Sequence, residues 1–280
     1  MAEIKAAKIT AAVRDMCIDA ASVLSDDVLE TLKNGLAIEE SPVGKRVLTD
    51  ILENARIAKE EGLPMCQDTG LAVVFCRVGQ EIRITGGDLR EALNEGVRQG
   101  YSDGYLRKSI VEDPLRRVNT GDNTPALVYF DIVPGDKLEI SLAAKGAGSE
   151  NMSEVKMLKP ADGMDGVVAF VVDRVARSGA NPCPPIVVGV GIGGSFEMSA
   201  MLAKQSHLRA LDDFHPDPFY RELEFDLLDR INKLGIGPQG LGGRITALGV
   251  HVETYPCHIA SLPVAVNINC HAYRHRSVTM

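Results

Sequence analysis

The sequence predicts a mixed α/β fold, in which an N-terminal helical layer over residues 1–62 precedes a mixed α/β body over residues 63–280. Two observations support this fold class. Apolar residues keep helical spacing as far as Gly62, and from residue 71 they form short runs typical of strands, separated by amphipathic helical segments. No internal repeat or long linker interrupts the pattern, so we predict one domain over residues 1–280.

Three helices are predicted in the N-terminal layer. In the first, apolar side chains recur at helical spacing, which makes Cys17 a small buried hydrophobe; they are Ile9, Val13, Met16, Cys17 and Ala20. Ser25 precedes the second helix, which has acidic residues in its first turn and should end at Gly35. Ser41 and Pro42 begin the third helix, which should end at Gly62 because glycine commonly follows the last helical turn.

The body alternates predicted strands with predicted helices. Strands are expected at residues 71–78, 125–133, 138–144, 184–192, 249–254 and 263–269. Helices are expected at residues 88–99, 163–177, 196–209 and 216–233. Trp is absent and aromatic residues make up only 5% of the chain, so aliphatic side chains must fill the core.

Composition excludes several classes of protein. The formal net charge of −8 argues against nonspecific binding of nucleic acid through a broad basic surface. The chain has no apolar run near the ~18 residues of a membrane helix, and no apolar signal-peptide core. We therefore expect a cytoplasmic protein, whose six cysteines are thiols or metal ligands rather than disulfides.

Six polar, glycine-rich segments each adjoin a predicted strand or helix end. They are residues 67–70, 119–125, 145–151, 191–195, 237–249 and 255–263. Loops on a rigid scaffold commonly carry function, so we expect these six to converge on one site. Their amides, hydroxyls and backbone N–H groups suit a small ligand rich in oxygen.

Three of the cysteines lie in turns or at strand ends beside these loops. Cys66, Cys183 and Cys270 are too far apart in sequence for a local metal finger, so only tertiary folding could unite them in a metal site. A zinc site formed by Cys257-His258 with Cys270-His271 is the alternative. Cys76 alternates along a predicted strand and is expected in the core.

The glycine run from Gly189 to Gly194 satisfies the pattern G-x-G-x-x-G after a predicted strand. A dinucleotide site also needs a second parallel strand about thirty residues on, with an acid near its end. The segment that follows is rich in proline and acids instead. A tight strand-to-helix turn and an anion-facing helix N-terminus both remain compatible with the run.

Eight motifs occur together and in order: PMCQDTG, YLRKSIV, NTGDNTPA, KGAGSEN, NPCPP, GIGGS, GPQGLGG and YPCHIASLPVAVNINCH. In this combination the chain resembles the class I iron–sulfur hydro-lyases, which include oxygen-sensitive fumarases and L(+)-tartrate dehydratase. The resemblance covers nearly the whole chain. Two positions depart from the family pattern: Ala147 interrupts a glycine triplet, and Cys257 stands where threonine is common.

The resemblance implies a cofactor and its ligands. Cys66, Cys183 and Cys270 would hold a [4Fe–4S] cluster, in which one iron has no thiolate ligand and can act as a Lewis acid. It also implies a fold like the N-terminal domain of class I fumarases. The residues around the substrate in this family correspond here to Gln67, Asp68, Arg107, Gly148 and His258.

Side-chain chemistry fits these implied roles. Arg107 can grip a carboxylate through two parallel hydrogen bonds. His258 can transfer a proton near neutral pH, which makes it a catalytic candidate. Asp68 is acceptor-only when ionised, so we expect it to orient or activate a base rather than to contact an anionic substrate.

Single-chain members of the family continue into a C-terminal domain that has no counterpart here. We therefore expect an α subunit whose active site is completed by a β subunit, in an (αβ)2 assembly that acts on a small dicarboxylate. Fumarate hydration is the favoured activity, and L(+)-tartrate dehydration is the alternative. A metal-binding protein without catalysis is the alternative of another class.

Overall fold

The computed structural model of the protein describes residues 2–280 and has the predicted mixed α/β fold. Its helices are α1 (Ala6–Ser22), α2 (Asp26–Ile38), α3 (Pro42–Glu61), α4 (Leu89–Asp103), α5 (Ala147–Glu150), α6 (Gly163–Ser178), α7 (Phe196–Gln205) and α8 (Pro218–Asn232). Its strands are β1 (Ala2–Lys5), β2 (Leu71–Gly79), β3 (Ile82–Thr85), β4 (Leu127–Val133), β5 (Leu138–Lys145), β6 (Glu154–Leu158), β7 (Ile186–Gly193), β8 (Ala247–Tyr255), β9 (Leu262–Asn269) and β10 (His275–Thr279).

The chain divides into two compact units. Unit 1 comprises the residues up to Leu24, Ala55–Ala147 and Arg274–Met280. Unit 2 comprises Ser25–Asn54 and Gly148–Tyr273. Each unit has its own sheet and its own hydrophobic core.

Two details of the predicted helical layer are wrong. Residues Ala2–Lys5 form strand β1, which pairs in parallel with β3, instead of beginning a helix. Gly35 does not end α2, which continues to Ile38. The glycine is buried within the helix, where the side chain of Ile245 occupies the space next to its Cα.

Unit 1 contains a four-stranded sheet in the order β10-β5-β2-β4. β2 runs antiparallel to β5 and parallel to β4. The core side of this sheet packs against α1 and α4, and all five apolar residues predicted on α1 are buried there. Gly96 and Gly100 of α4 allow close approach of α1, because a Cβ on Gly100 would lie 2.7 Å from the Cβ of Cys17.

Unit 2 contains a second four-stranded sheet in the order β6-β9-β7-β8. β7 runs parallel to β8 and antiparallel to β9, which places the start of β7 beside the end of β9. Helices α6, α7 and α8 contribute to the unit 2 core or pack on its strands. The sheet interior consists almost entirely of Val, Ile, Leu and Ala, as expected for a chain without Trp.

The glycine run on β7 serves helix packing. A Cβ on Gly191 would lie 2.0 Å from the carbonyl oxygen of Ser199, and a Cβ on Gly189 would lie 2.2 Å from that of Ala203. Both carbonyls belong to α7, so only glycine lets this helix lie so close to the strand. The close packing accounts for the glycines without a dinucleotide.

No helix among residues 2–280 combines the length and the apolar composition needed to cross a membrane.

Candidate active site

Three of the polar loops meet at one end of the unit 1 sheet. Loop 67–70 leads into β2. β2 begins opposite the end of β5, since Leu71 pairs with Lys145, and loop 145–151 begins at that end of β5. β4 runs parallel to β2 and begins next to it, which brings loop 119–125 to the same end. The expected convergence of loops is therefore confirmed within unit 1.

Asp68 is locked in place by backbone N–H groups. Its Oδ1 accepts a hydrogen bond from Gly70 N at 2.9 Å, and its Oδ2 accepts one from Ala147 N at 2.8 Å. Its own carbonyl oxygen accepts from Nη1 of Arg274 at 2.7 Å. A carboxylate held on both oxygens suits a group that orients its neighbours.

Gly70 is required where the loop enters the sheet. Its φ is +79°, and an added Cβ would lie 2.8 Å from the backbone of Lys145. The buried Tyr101 hydroxyl donates to the carbonyl oxygens of Thr69 and Gly70, at 3.0 and 2.8 Å. Burial raises the pKa of Tyr101, so this phenol stays protonated and remains a donor.

Arg107 lies in a loop tied to the same turn. Thr69 Oγ1 donates to the carbonyl oxygen of Arg107 at 3.1 Å. Asn123 links two segments, since its Oδ1 accepts from Ser109 N at 2.7 Å and its Nδ2 donates to Gly70 O at 3.2 Å. The Arg107 side chain is exposed and forms no hydrogen bond or ion pair within residues 2–280. Its guanidinium is thus available to a ligand.

Gln67 is exposed beside Cys66, so its amide is also accessible. Gly148 is exposed at the short helix α5, in unit 2. A Cβ there would meet only the carbonyl oxygen of Asn181, at the ordinary contact distance of 3.7 Å. Packing therefore does not explain this glycine, and its backbone N–H is accessible.

Unit 2 brings Cys183 and Cys270 to the same end of its sheet. Cys183 precedes β7 and Cys270 follows β9, whose facing ends pair as Val187 with Asn269. His271 Nδ1 lies 3.1 Å from the carbonyl oxygen of Cys183, and because a carbonyl can only accept, Nδ1 is the donor. Cys183 itself has φ of +57°, a conformation that is rare for residues other than glycine and often found at functional sites.

The loop before β8 supports the Cys183 turn from another direction. The backbone N and the side-chain Nε2 of Gln239 both donate to the carbonyl oxygen of Pro184, at 2.7 and 2.9 Å. The GPQGLGG motif and the NCH motif therefore hold the NPCPP motif through side-chain and backbone contacts. Cys183 and Cys270 are the two predicted ligands that this arrangement unites.

Glu39, which is 1% exposed, holds the loop before β8 in place. Its carboxylate accepts from the backbone N–H groups of Glu40, Ser41, Arg244 and Ile245, at 2.8 to 2.9 Å. Burial raises the pKa of this carboxyl, but the hydrogen bonds from Arg244, Ser41, Ile245 and Glu40 outweigh it and lower the pKa below its usual value. The buried group is therefore ionised and fully hydrogen-bonded.

His258 lies at the other end of the unit 2 sheet. The loop that contains it connects the end of β8 to the start of β9, whereas Cys270 follows the end of β9. β9 has eight residues, and at roughly 3.3 Å per residue its two ends are about 26 Å apart. The expectation that all six loops converge is therefore wrong for loops 191–195 and 255–263, because β7 and β8 both end at that far edge.

The His258 loop borders an exposed apolar cleft of about 370 Å³, lined by Met164, Phe219, Tyr220, Ile259 and Leu262 among others. Its Nδ1 accepts from Ala260 N at 3.1 Å, which leaves Nε2 as the outward-facing ring nitrogen. Ile259 is 91% exposed and Phe219 54%. Such exposed apolar side chains around an accessible histidine are typical of an interaction surface.

The cysteines fall into two chemical groups. Cys17 and Cys76 are buried as predicted, and burial raises the pKa of each thiol to about 12, so neither ionises to a ligand. Cys66 and Cys183 are exposed, and Cys270 is partly exposed. These three are accessible thiols in polar turns, the donor set that an iron–sulfur cluster needs.

The alternative zinc site is excluded by β9, which separates Cys257 and His258 from Cys270 and His271 by the length of the strand. Within residues 2–280, no group of three or more His, Cys, Asp or Glu side chains is arranged around a single ion. In a cluster each thiolate binds a different iron atom, so its ligands need not meet at one point.

Two residues with important contacts escaped the sequence analysis. Glu39 lies in an ordinary interhelical junction, and Arg274 lies in the C-terminal tail four residues after Cys270. Neither has a local sequence signal, because the contact of Glu39 with Arg244 and that of Arg274 with Asp68 each span more than 200 residues.

Comparison with known proteins identifies the family of this chain. The family model described as Fumarate hydratase (Fumerase) matches residues 10–279. A protein named "Putative L(+)-tartrate dehydratase subunit alpha" from Methanocaldococcus jannaschii is 43% identical over 273 residues, which cover 95% of each chain. Proteins named L(+)-tartrate dehydratase subunit alpha from Escherichia coli strains UTI89 and K12 are 37% and 36% identical over 271 residues, or 95% of this chain and 89% of each relative.

Proposed function

This chain belongs to the fumarate hydratase (Fumerase) family of hydro-lyases, and we propose that it is the α subunit of an iron–sulfur L(+)-tartrate dehydratase. The observation that carries the substrate is the name shared by the similar proteins, which match 95% of this chain at 36–43% identity. The sequence alone favours fumarate as the substrate, with L(+)-tartrate as the alternative. The names of the relatives agree better with L(+)-tartrate. The proposed reaction converts L(+)-tartrate to oxaloacetate and water.

We propose that Cys66, Cys183 and Cys270 hold a [4Fe–4S] cluster. The accessibility of the three thiols and the shared position of Cys183 and Cys270 at one sheet end support this assignment. When bound, the cluster supplies an iron without a thiolate ligand, which acts as a Lewis acid toward the departing hydroxyl group.

Arg107, Gln67 and Gly148 would bind the substrate. The Arg107 guanidinium has no partner within residues 2–280 and can hold one carboxylate by two hydrogen bonds. The Gln67 amide and the Gly148 N–H are accessible donors for the remaining oxygens. Asp68, fixed on both carboxylate oxygens, would orient the turn rather than contact the anion.

The proton-transfer role of His258 depends on assembly. His258 is about 26 Å along β9 from Cys270, so it cannot reach a cluster at Cys183 and Cys270 of its own chain. We propose that a second copy supplies His258 in an (αβ)2 assembly. The outward-facing Nε2 and the exposed apolar cleft support this arrangement.

A β subunit would complete each site with further substrate-binding groups. The names of the relatives, which are α subunits, support a partner of this kind. The chain has a net charge of −8, so a dicarboxylate needs cations concentrated at the site, whichever chain supplies them.

Substrate competition tests the proposal. The α chain co-purified with its β subunit under anaerobic conditions and loaded with iron and sulfide should dehydrate L(+)-tartrate with a kcat/KM at least about tenfold above that for malate. A preference for malate and fumarate would instead support a fumarase, which the family name favours as second candidate. Iron loading without turnover of either substrate would favour the metal-binding alternative.

A further inference from the structure

Arg274 is a buried arginine next to the proposed catalytic turn. It is 2% exposed, and its Nη1 donates to the carbonyl oxygen of Asp68 at 2.7 Å. Gly146 brings the two side chains together: a Cβ on this glycine would lie 3.4 Å from Nη2 of Arg274 and 3.2 Å from Oδ2 of Asp68. The guanidinium is thus hydrogen-bonded to the turn that contains Cys66.

The guanidinium of Arg274 makes few direct contacts with polar groups. Its Nε has no hydrogen-bond partner, and no carboxylate forms a salt bridge with it, among residues 2–280. The nearby Asp68 carboxylate offsets part of this charge, although its own hydrogen bonds come from the N–H groups of Gly70 and Ala147 and not from the guanidinium. Burial of a cation without a direct ion pair carries a desolvation cost, which a second anion nearby would offset further.

We propose that Arg274 is a buried positive charge that stabilises an anionic group bound at the turn Cys66–Asp68. The inference rests on the proposed function, which places such anions at this turn. It differs from the role of Arg107, which is exposed and free to contact the substrate, because Arg274 acts through the low-dielectric interior.

Two anions have the required chemistry, a dicarboxylate substrate and a cluster bound by thiolates. They predict different measurements. If the charge of Arg274 stabilises the bound dicarboxylate, it lowers KM and leaves the reduction potential of the cluster unchanged. If the charge of Arg274 stabilises the cluster instead, it raises the reduction potential of the cluster and slows iron loss, because positive charge nearby favours the reduced, more negative state.

The decisive comparison separates charge from hydrogen bonding. Arg274→Lys keeps the charge, whereas Arg274→Gln loses it but can still donate to the carbonyl oxygen of Asp68. Arg209→Gln is the matched control, because Arg209 is also largely buried but lies in unit 2 and is paired with Glu224 at 2.9 Å. Each αβ preparation is assayed anaerobically for iron and sulfide per chain, reduction potential, KM and kcat.

We expect the KM and the rate of iron loss of Arg274→Lys to stay within about threefold of the wild-type values. Arg274→Gln should show either a KM raised about 10- to 100-fold or a lower reduction potential with faster iron loss. Arg209→Gln should lower the thermal midpoint and leave these values unchanged. Equal behaviour of the Lys and Gln variants would overturn the inference. So would an Arg274→Gln variant that changes only the thermal midpoint.

A neutral isostere covers the case in which Arg274→Gln does not fold. Native chemical ligation at Cys270 can join residues 1–269 to a synthetic peptide of residues 270–280 that has citrulline at position 274, with the arginine peptide as control. Citrulline should reproduce the Gln phenotype, and wild-type values in the citrulline protein would overturn the inference. A wild-type enzyme that binds no iron or turns over no substrate would refute the proposed function instead.

Discussion

At the scale of single residues, burial divides the six cysteines by chemistry. Cys17 and Cys76 lie in the core of unit 1, where desolvation disfavours the thiolate and raises the pKa to about 12. Cys66, Cys183, Cys257 and Cys270 are at least partly exposed. Exposure alone does not identify ligands, because Cys257 is as accessible as Cys66 but lies at the far end of its sheet.

Single substitutions should separate these groups. We expect Cys66→Ser, Cys183→Ser and Cys270→Ser each to lose the cluster, since each removes one of three thiolates. Iron and sulfide per chain and visible absorbance, measured without oxygen, provide the test. Cys257→Ser is the exposed control, and Cys17→Ala and Cys76→Ala are the buried controls. All three controls should retain the cluster, and retention by Cys270→Ser would contradict the assignment.

At the scale of structural elements, the junction between α2 and α3 positions the loop that supports Cys183. Glu39 begins this junction and accepts hydrogen bonds from the backbone of Arg244 and Ile245. Gly243 makes room for the carboxylate, since a Cβ there would lie 2.8 Å from its Oε1. A buried carboxylate thereby connects two segments that are 205 residues apart in sequence.

Glu39→Gln should destabilise the protein by roughly 1–3 kcal/mol, because an amide group would face N–H donors. The folded-state pKa of Glu39 is lowered. Its contribution is therefore present above the unfolded-state pKa and is lost as pH falls through the folded-state value.

Denaturant midpoints measured from about pH 7 down to about pH 3 test this sign, since an unperturbed glutamate titrates near 4.3. The difference between wild type and Glu39→Gln should narrow as the pH falls. Glu40→Gln is the control, because Glu40 is exposed and pairs with an exposed Arg244 at 3.0 Å. A constant difference across the range would mean that Glu39 is not ionised in the folded protein.

At the scale of the whole molecule, strand direction determines which residues of unit 2 can act together. β7 and β9 are antiparallel, so Cys183 and Cys270 meet, and the length of β9 keeps His258 away from both. If His258 transfers a proton during turnover, it does so at the site of another copy.

Mixed assemblies test this arrangement. His258→Asn and Cys270→Ser should each abolish or strongly reduce turnover alone. When the two variants are co-assembled at random, hybrid dimers contain one site with both an intact cluster and an intact histidine, and about a quarter of wild-type activity should return. No recovery in hybrids of confirmed composition would show that His258 does not act in trans. Wild-type kcat in His258→Asn would show that it has no role in proton transfer.

Much of the architecture could be predicted from the chain alone. Apolar residues at helical spacing predicted all the helices of more than one turn, and short apolar runs predicted the six longest strands. These patterns missed β1, β3, β6 and β10, which are only four or five residues long and too short to form a distinct apolar run. The eight ordered motifs also sufficed to identify the family that the comparison confirmed.

Tertiary structure alone decided which of the polar loops lie together. The sequence predicts that each loop adjoins the end of a strand or helix. It does not determine at which edge of the sheet that end lies. Parallel pairing of β7 with β8 put His258 at the far edge, and the contact of Arg274 with Asp68 spans 206 residues. Such juxtapositions depend on strand register and chain reversal, which arise from the packing of the whole sheet rather than from local residue patterns.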